Sequence, residues 1–238
     1  MSQINPFPRD YAPAIVFPCD ESNQLGPPNN PKGFVCHTPE EPADGYPATP
    51  HWFAQAHPDR AGSTHYFVAY TGDVYQMVPE SSAAIANGVK GRPYPSWANP
   101  GVSLNRQSVN VEIEGYAESI QDTLVVGGAQ WNALVALVRD RAARWGFQCD
   151  REHIIGHYQV ADNRSDPGAG FPWDALIAAL NEEDDMTERV WDGSRTWIVG
   201  KGGSSLILYP EMDKPLEAIY GPHTRAMAVA DLEAIRVK

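Results

Sequence analysis

The chain has 238 residues, a hydrophobic fraction of 42% and a formal net charge of -12. That length holds one domain of about 180 residues plus a small appendage. No apolar run approaches the roughly 18 residues of a membrane helix, so the protein is not expected to be membrane-embedded, and the acidic balance excludes a nucleic-acid partner whose phosphates demand Lys and Arg.

Residues 1–33 are rich in Pro, Gly and Asn and read as an extended arm laid over the domain. The opening MSQINPFPRDYAPAIVF has no basic start followed by an apolar stretch, so no secretory signal is expected. Cys19, Cys36 and Cys149 lack metal-type spacing and read as reduced thiols. Gly33 to His37, GFVCH, is a β-rich run stopped by Thr38-Pro39. A histidine delivered at the C-terminal end of a strand stands where open α/β sheets place functional groups, although a capped core histidine fits equally well. HWFAQAHPD then predicts a short helix with Trp52 and Phe53 inward. Ser63 to Val78 reads as a hairpin around Thr71-Gly72-Asp73, opened by His65, which is either buried beside a sheet or catalytic.

From Ala83 to Asn105 the chain is a long loop of the kind that is usually functional. Ser108 to Gly115, SVNVEIEG, alternates strictly, with Val109, Val111 and Ile113 on one face and Asn110, Glu112 and Glu114 on the other. That is either an edge strand with a wet face or the polar floor of a cleft. Apolar residues at spacings of three and four predict an amphipathic helix from Ala129 to Trp145, stopped by Gly146, and a second from Trp173 to Leu180. Residues 182–188 begin in the acidic run NEEDDM and read as a linker. Up to residue 186 there are 11 basic and 23 acidic residues, and after it seven of each. Residues 189–238 carry strand-like runs RTWIVG, SSLILYP and LEAIYG, then a helical Met227 to Ile235.

The chemistry concentrates in GHYQVADNRSDPG, Gly156 to Gly168. His157 ends an apolar run, and the loop returns Asp166 nine positions later. Neutral imidazole and carboxylate both bind zinc, and a catalytic zinc keeps three protein ligands and one open position. The strand-end His37 is the candidate third ligand, with Glu112 on the polar face of the alternating strand.

VCHTPE, STHYFVAYTGDVYQMVPE, SVNVEIEG and GHYQVADNRSDPG, in this order, resemble the zinc-dependent N-acetylmuramoyl-L-alanine amidases related to peptidoglycan recognition proteins, especially those of phage endolysins. The resemblance covers Gly33 to Leu180. It implies an α/β fold with a mixed central sheet flanked by helices, a catalytic domain at 34–181, zinc held by His37, His157 and Asp166, and Glu112 as general base, with Glu114 the fallback. The implied partner is peptidoglycan, cut between N-acetylmuramic acid and L-alanine; a module on the same fold that only binds peptidoglycan is the rival. Where many relatives carry a catalytic lysine this chain has Arg164, which stays protonated and can stabilise an oxyanion but not shuttle a proton. Thr64 stands for a tyrosine before His65, and Ile85-Ala86-Asn87-Gly88 for a Trp-His-Ala-Gly loop, so Thr64, His65, Asn87 and Glu114 are expected at the substrate. The endolysin likeness implies synthesis in a host cytoplasm and action on the wall after release. The tail is then expected to serve wall attachment or self-association.

Overall fold

The computed structural model describes residues 7–57, 59–182, 186–191, 196–200, 205–208 and 225–226. The apolar run Gly33–His37 forms β3, and all five of its residues are buried. Such a run suits a parallel strand covered on both faces. In chain order the first unit contains β1 (Ile15–Val16), β2 (Gln24–Gly26), β3, α1 (Ala48–Phe53), β4 (Tyr66–Val68), β5 (Val74–Gln76), β6 (Ala83–Ala84) and β7 (Ser108–Ile113). It continues with α2 (Ile120–Thr123), α3 (Ala129–Trp145), β8 (Ile154–Gly156) and α4 (Trp173–Asn181). The main sheet has the order β1-β5-β4-β7-β3-β8, parallel except for the β4–β5 hairpin. This is the mixed sheet flanked by helices that the sequence implied.

The period-two alternation divides the core. Phe34, Cys36, Val109, Val111 and Ile154 pack with Leu134, Val138 and Leu176 of α3 and α4. Val35 and Ile155 point the other way and pack with Ala98, Leu104 and Val160, so the long loop covers the face that the helices leave open. Helix α3 ends where expected, at Gly146 with φ 74°.

Three expectations change. The alternating strand β7 is not an edge: it lies between β4 and β3, and Ser108 and Asn110 are fully buried. On its polar face Asn110 accepts from the Asn87 amide and Glu114 accepts from the backbone of Gly45 and Tyr70. The N-terminal arm joins the sheet, with β1 extending it beside β5, β2 pairing with β6, and Tyr11 and Ala14 entering the core. The predicted helix at HWFAQAHPD starts earlier, at Ala48, and ends at Phe53.

A second unit spans Glu182–Lys238. Its described strands β9 (Met186–Trp191), β10 (Thr196–Gly200), β11 (Ser205–Leu208) and β12 (Arg225–Ala226) form a sheet in the order β11-β10-β9-β12. Strand β9 begins inside the expected linker, and Glu188 pairs with Val199. LEAIYG and the expected helix from Met227 to Ile235 lie outside the described residues.

Candidate metal centre

Three adjacent parallel strands deliver their groups at one end of the sheet. His37 closes β3, Glu112 stands opposite it in β7, and His157 follows Gly156 at the end of β8. Gly156 is required there, because a Cβ would lie 2.6 Å from the Tyr158 ring and 2.7 Å from Pro167 Cδ. The chain then loops back until Tyr158 N donates to Asp166 O at 3.2 Å. Gly168, at φ 107°, packs against the Ala117 carbonyl so closely that a side chain would collide with it.

The result is a convergent triad. His37 Nδ1 lies 3.2 Å from His157 Nδ1 and 3.1 Å from Asp166 Oδ2, and His157 Nδ1 lies 3.2 Å from the same oxygen. The three residues are 2%, 4% and 9% exposed. Two imidazole nitrogens aimed at one another and at one carboxylate oxygen cannot all be satisfied by a single proton. A dication satisfies them together: tetrahedral ligands at about 2.0 to 2.2 Å stand roughly 3.3 to 3.6 Å apart, close to the observed separations. The residues therefore fit a zinc-type ion with one position left open.

The electrostatics follow from burial and proximity. Burial would raise the Asp166 carboxyl, but hydrogen bonds and charge from His157 and His37 hold it well below the usual carboxylate range. Burial lowers His157. Burial acts in the same direction on His37, but Asp166, Glu112 and Asn110 outweigh it and raise that ring. Glu112 is pushed up to about 8, chiefly by burial, with His37 opposing and Asp166, Glu41 and Glu40 adding to the rise. Its Oε2 is buried without a hydrogen-bond partner.

Arg164 is exposed and donates only locally, to Asn163 O at 3.2 Å, while its charge reaches His157. The four residues expected at the substrate are all buried. Thr64 is fully buried and donates to Tyr66 O. His65 is fully buried between Asn110 N, 3.1 Å from Nδ1, and Ser82 O, 3.0 Å from Nε2. Glu114 is fully buried, and its two oxygens accept from Gly45 N and Tyr70 N, tying together the loops after β3 and β4. That leaves it no free oxygen for a base's work. Asn87 is buried and donates to Asn110 Oδ1 at 2.7 Å and Ser108 Oγ at 3.0 Å.

Sequence reasoning passed over Asn110 and Glu41. Asn110 Oδ1 is 3.4 Å from His37 Nε2; its place on the same polar face as Glu112 was the available signal. Glu41 is buried near Glu112 and Glu114, with Oε2 accepting from Thr49 N and Oε1 unpaired. Nothing in its local pattern marks it.

Comparison with known proteins identifies the family. Residues 27–169 match the family model described as N-acetylmuramoyl-L-alanine amidase. N-acetylmuramoyl-L-alanine amidase A of Achromobacter lyticus is 26% identical over 191 residues, 72% of this chain and 96% of that protein. Among solved structures, a selenomethionine derivative of AmpD has the same fold with a TM-score of 0.55 at 24% identity, covering 71% of this chain and 95% of its own. The catalytic domain of XlyA matches with a TM-score of 0.50 at 17% identity, over 70% of this chain and 98% of that one. With the family model spanning more than half of its length, this chain belongs to the N-acetylmuramoyl-L-alanine amidase family.

Proposed function

We propose that this protein is a zinc-dependent peptidoglycan hydrolase that cleaves the amide between the lactyl group of N-acetylmuramic acid and L-alanine. The observation that carries the reading is the buried triad of His37, His157 and Asp166 beside Glu112, in a chain of the amidase family. A zinc ion held by His37 Nδ1, His157 Nδ1 and Asp166 would supply Lewis-acid polarisation of the scissile carbonyl and acidify a water.

Glu112 acts as the general base. It takes a proton from the attacking water as the water oxygen bonds to the carbonyl carbon. It returns a proton to the alanine nitrogen as the carbon–nitrogen bond breaks. Burial raises its carboxyl, while a dication held beside it would lower it again, so the group would exchange a proton near neutral pH. Arg164, exposed and bonded only locally, is available to donate to the developing oxyanion. Thr64, His65, Asn87 and Glu114 serve as scaffold behind this site.

Lysis of host walls, the role implied by the endolysin likeness, is part of the same proposal. The test is digestion of purified peptidoglycan with the products read by mass spectrometry. Free stem peptides with an L-alanine N-terminus, abolished by chelator and restored by zinc, are expected. Products of glycosidic cleavage, or cleavage indifferent to chelator, would overturn the reading. Clearing of permeabilised cells by added protein checks the lytic role.

A further inference from the structure

The nitrogen of His37 that does not face the triad is also held, and the hydrogen bonds around it decide which nitrogen carries the proton. Ser108 Oγ donates its only proton to Leu104 O at 2.9 Å. It can therefore only accept from Asn87 Nδ2, 3.0 Å away, and Asn110 Nδ2, 3.2 Å away. His65 Nδ1 accepts from Asn110 N at 3.1 Å and so can only accept from the Asn110 side chain as well, which holds Asn110 Nδ2 on that side at 3.4 Å. With its nitrogen toward His65 and Ser108, Asn110 presents Oδ1 to Asn87 Nδ2 at 2.7 Å and to His37 Nε2 at 3.4 Å. An amide oxygen only accepts, so His37 must carry its proton on Nε2, leaving the Nδ1 lone pair for the triad.

This arrangement is braced from two sides. Asn110 N donates to His65 Nδ1 at 3.1 Å, and His65 Nε2 lies 3.0 Å from Ser82 O. Asn105 Oδ1 accepts from Ala86 N at 3.2 Å and Asn87 N at 2.7 Å, which aims the Asn87 side chain. Next to it, Arg106 grips the carbonyls of Leu25, Gly26 and Pro28. The chain of contacts thus runs from the long loop through Asn87 and Asn110 to the ligand ring.

We propose that Asn110, oriented by Ser108 and Asn87, is the positioning residue that selects the metal-binding tautomer of His37 and thereby sets the metal affinity of the site. The inference rests on the zinc reading above and adds to it that the loop at Asn87, expected at the substrate, acts on the metal from behind. Outer partners of ligating histidines typically govern about 10- to 100-fold in metal affinity.

The test measures zinc affinity of the full chain by competition with a chromophoric chelator, alongside the visible spectrum of the cobalt(II) form and the melting temperature of the metal-free protein. Asn110→Ala is expected to weaken zinc binding by about 10- to 100-fold and to shift the cobalt bands. Asn110→Asp keeps an oxygen facing His37 and should restore binding. Asn87→Ala, on a loop and outside the sheet, should weaken binding in the same direction by less, and it decides the matter if Asn110→Ala does not fold. Wild-type protein that takes up no zinc would overturn the zinc reading and this inference with it. Wild-type protein that binds zinc, with Asn87→Ala and any folded Asn110 variant binding as tightly, would leave the zinc reading standing and overturn the relay. A lower melting temperature with unchanged zinc affinity would likewise reduce both asparagines to scaffold.

Discussion

At the scale of single residues the decisive feature is one carboxylate beside the three proposed metal ligands. Glu112→Gln preserves shape but cannot accept a proton, so it is expected to keep stoichiometric zinc while kcat falls by about 100- to 10,000-fold. Metal analysis and turnover on one preparation check both halves. Arg164→Ala removes the proposed oxyanion donor, and a loss of about 100-fold or more in kcat is expected, with Arg164→Lys recovering part of it. Glu41 offers a separate reading through stability. Burial raises its carboxyl to about 7, with Thr49 opposing and Glu114 and Asp44 adding. Between its ordinary value near 4.5 and about 7 the folded chain holds a proton that the unfolded chain has released. Stability therefore falls as pH rises through that window and levels off above it, by about 1 to 3 kcal/mol in total. Urea midpoints across the window should show this slope, and Glu41→Gln should remove it.

At the scale of elements, the site depends on three strand ends and one loop held in register. The loop from Gly156 to Gly168 works because both of its ends are too crowded for a side chain, Gly156 by Tyr158 and Pro167 of the loop itself and Gly168 by the backbone of Ala117. At Gly168 the backbone is also left-handed. Gly168→Ala is accordingly expected to destabilise the protein by more than about 2 kcal/mol and to weaken zinc binding, since Asp166 lies two residues away. Denaturant midpoints and chelator competition report the two effects. Strand β7 shows why its pattern reads two ways. Alternation of Val109, Val111 and Ile113 with Asn110, Glu112 and Glu114 says only that the faces differ. In the fold the strand is interior, Asn110 on its polar face packs against the amide of Asn87 and the ring of His65, and Glu112, only partly buried, stands opposite His37.

At the scale of the whole molecule, the family match ends at residue 169 and the first unit at Asn181. Asn181 closes α4 and donates to Cys149 O, and Leu180 is buried, so a cut after Asn181 leaves the helix intact. The truncated chain is expected to bind zinc and hydrolyse soluble muropeptides like the full chain, and to act less well on whole walls or change its oligomeric state. Unchanged action on walls together with an unchanged oligomeric state would leave the second unit with neither role. The first unit also depends on its N-terminal segment. Asp10 accepts from Glu80 N and Gln76, while Glu80, fully buried, is held by Tyr66, Arg141 and Trp145. The arm is thus part of the core's wall rather than a cover over it.

Much of this was legible in the residues themselves. A five-residue apolar run ending in His37, a hairpin around Thr71-Gly72-Asp73, the three- and four-residue spacing of α3 and the His157-to-Asp166 loop are local patterns, and local geometry is enough to set them. The burial of Thr64, His65, Asn87 and Glu114 was not legible, because side-chain period identifies a face and not what that face meets. Only the packing of β7 between β3 and β4, with the long loop laid across the sheet, turned those side chains inward and brought Asn87 through Asn110 to His37. Contacts between residues 37, 87 and 110 exist only once the strands have paired, so tertiary structure alone decides which polar groups do chemistry and which hold them in place.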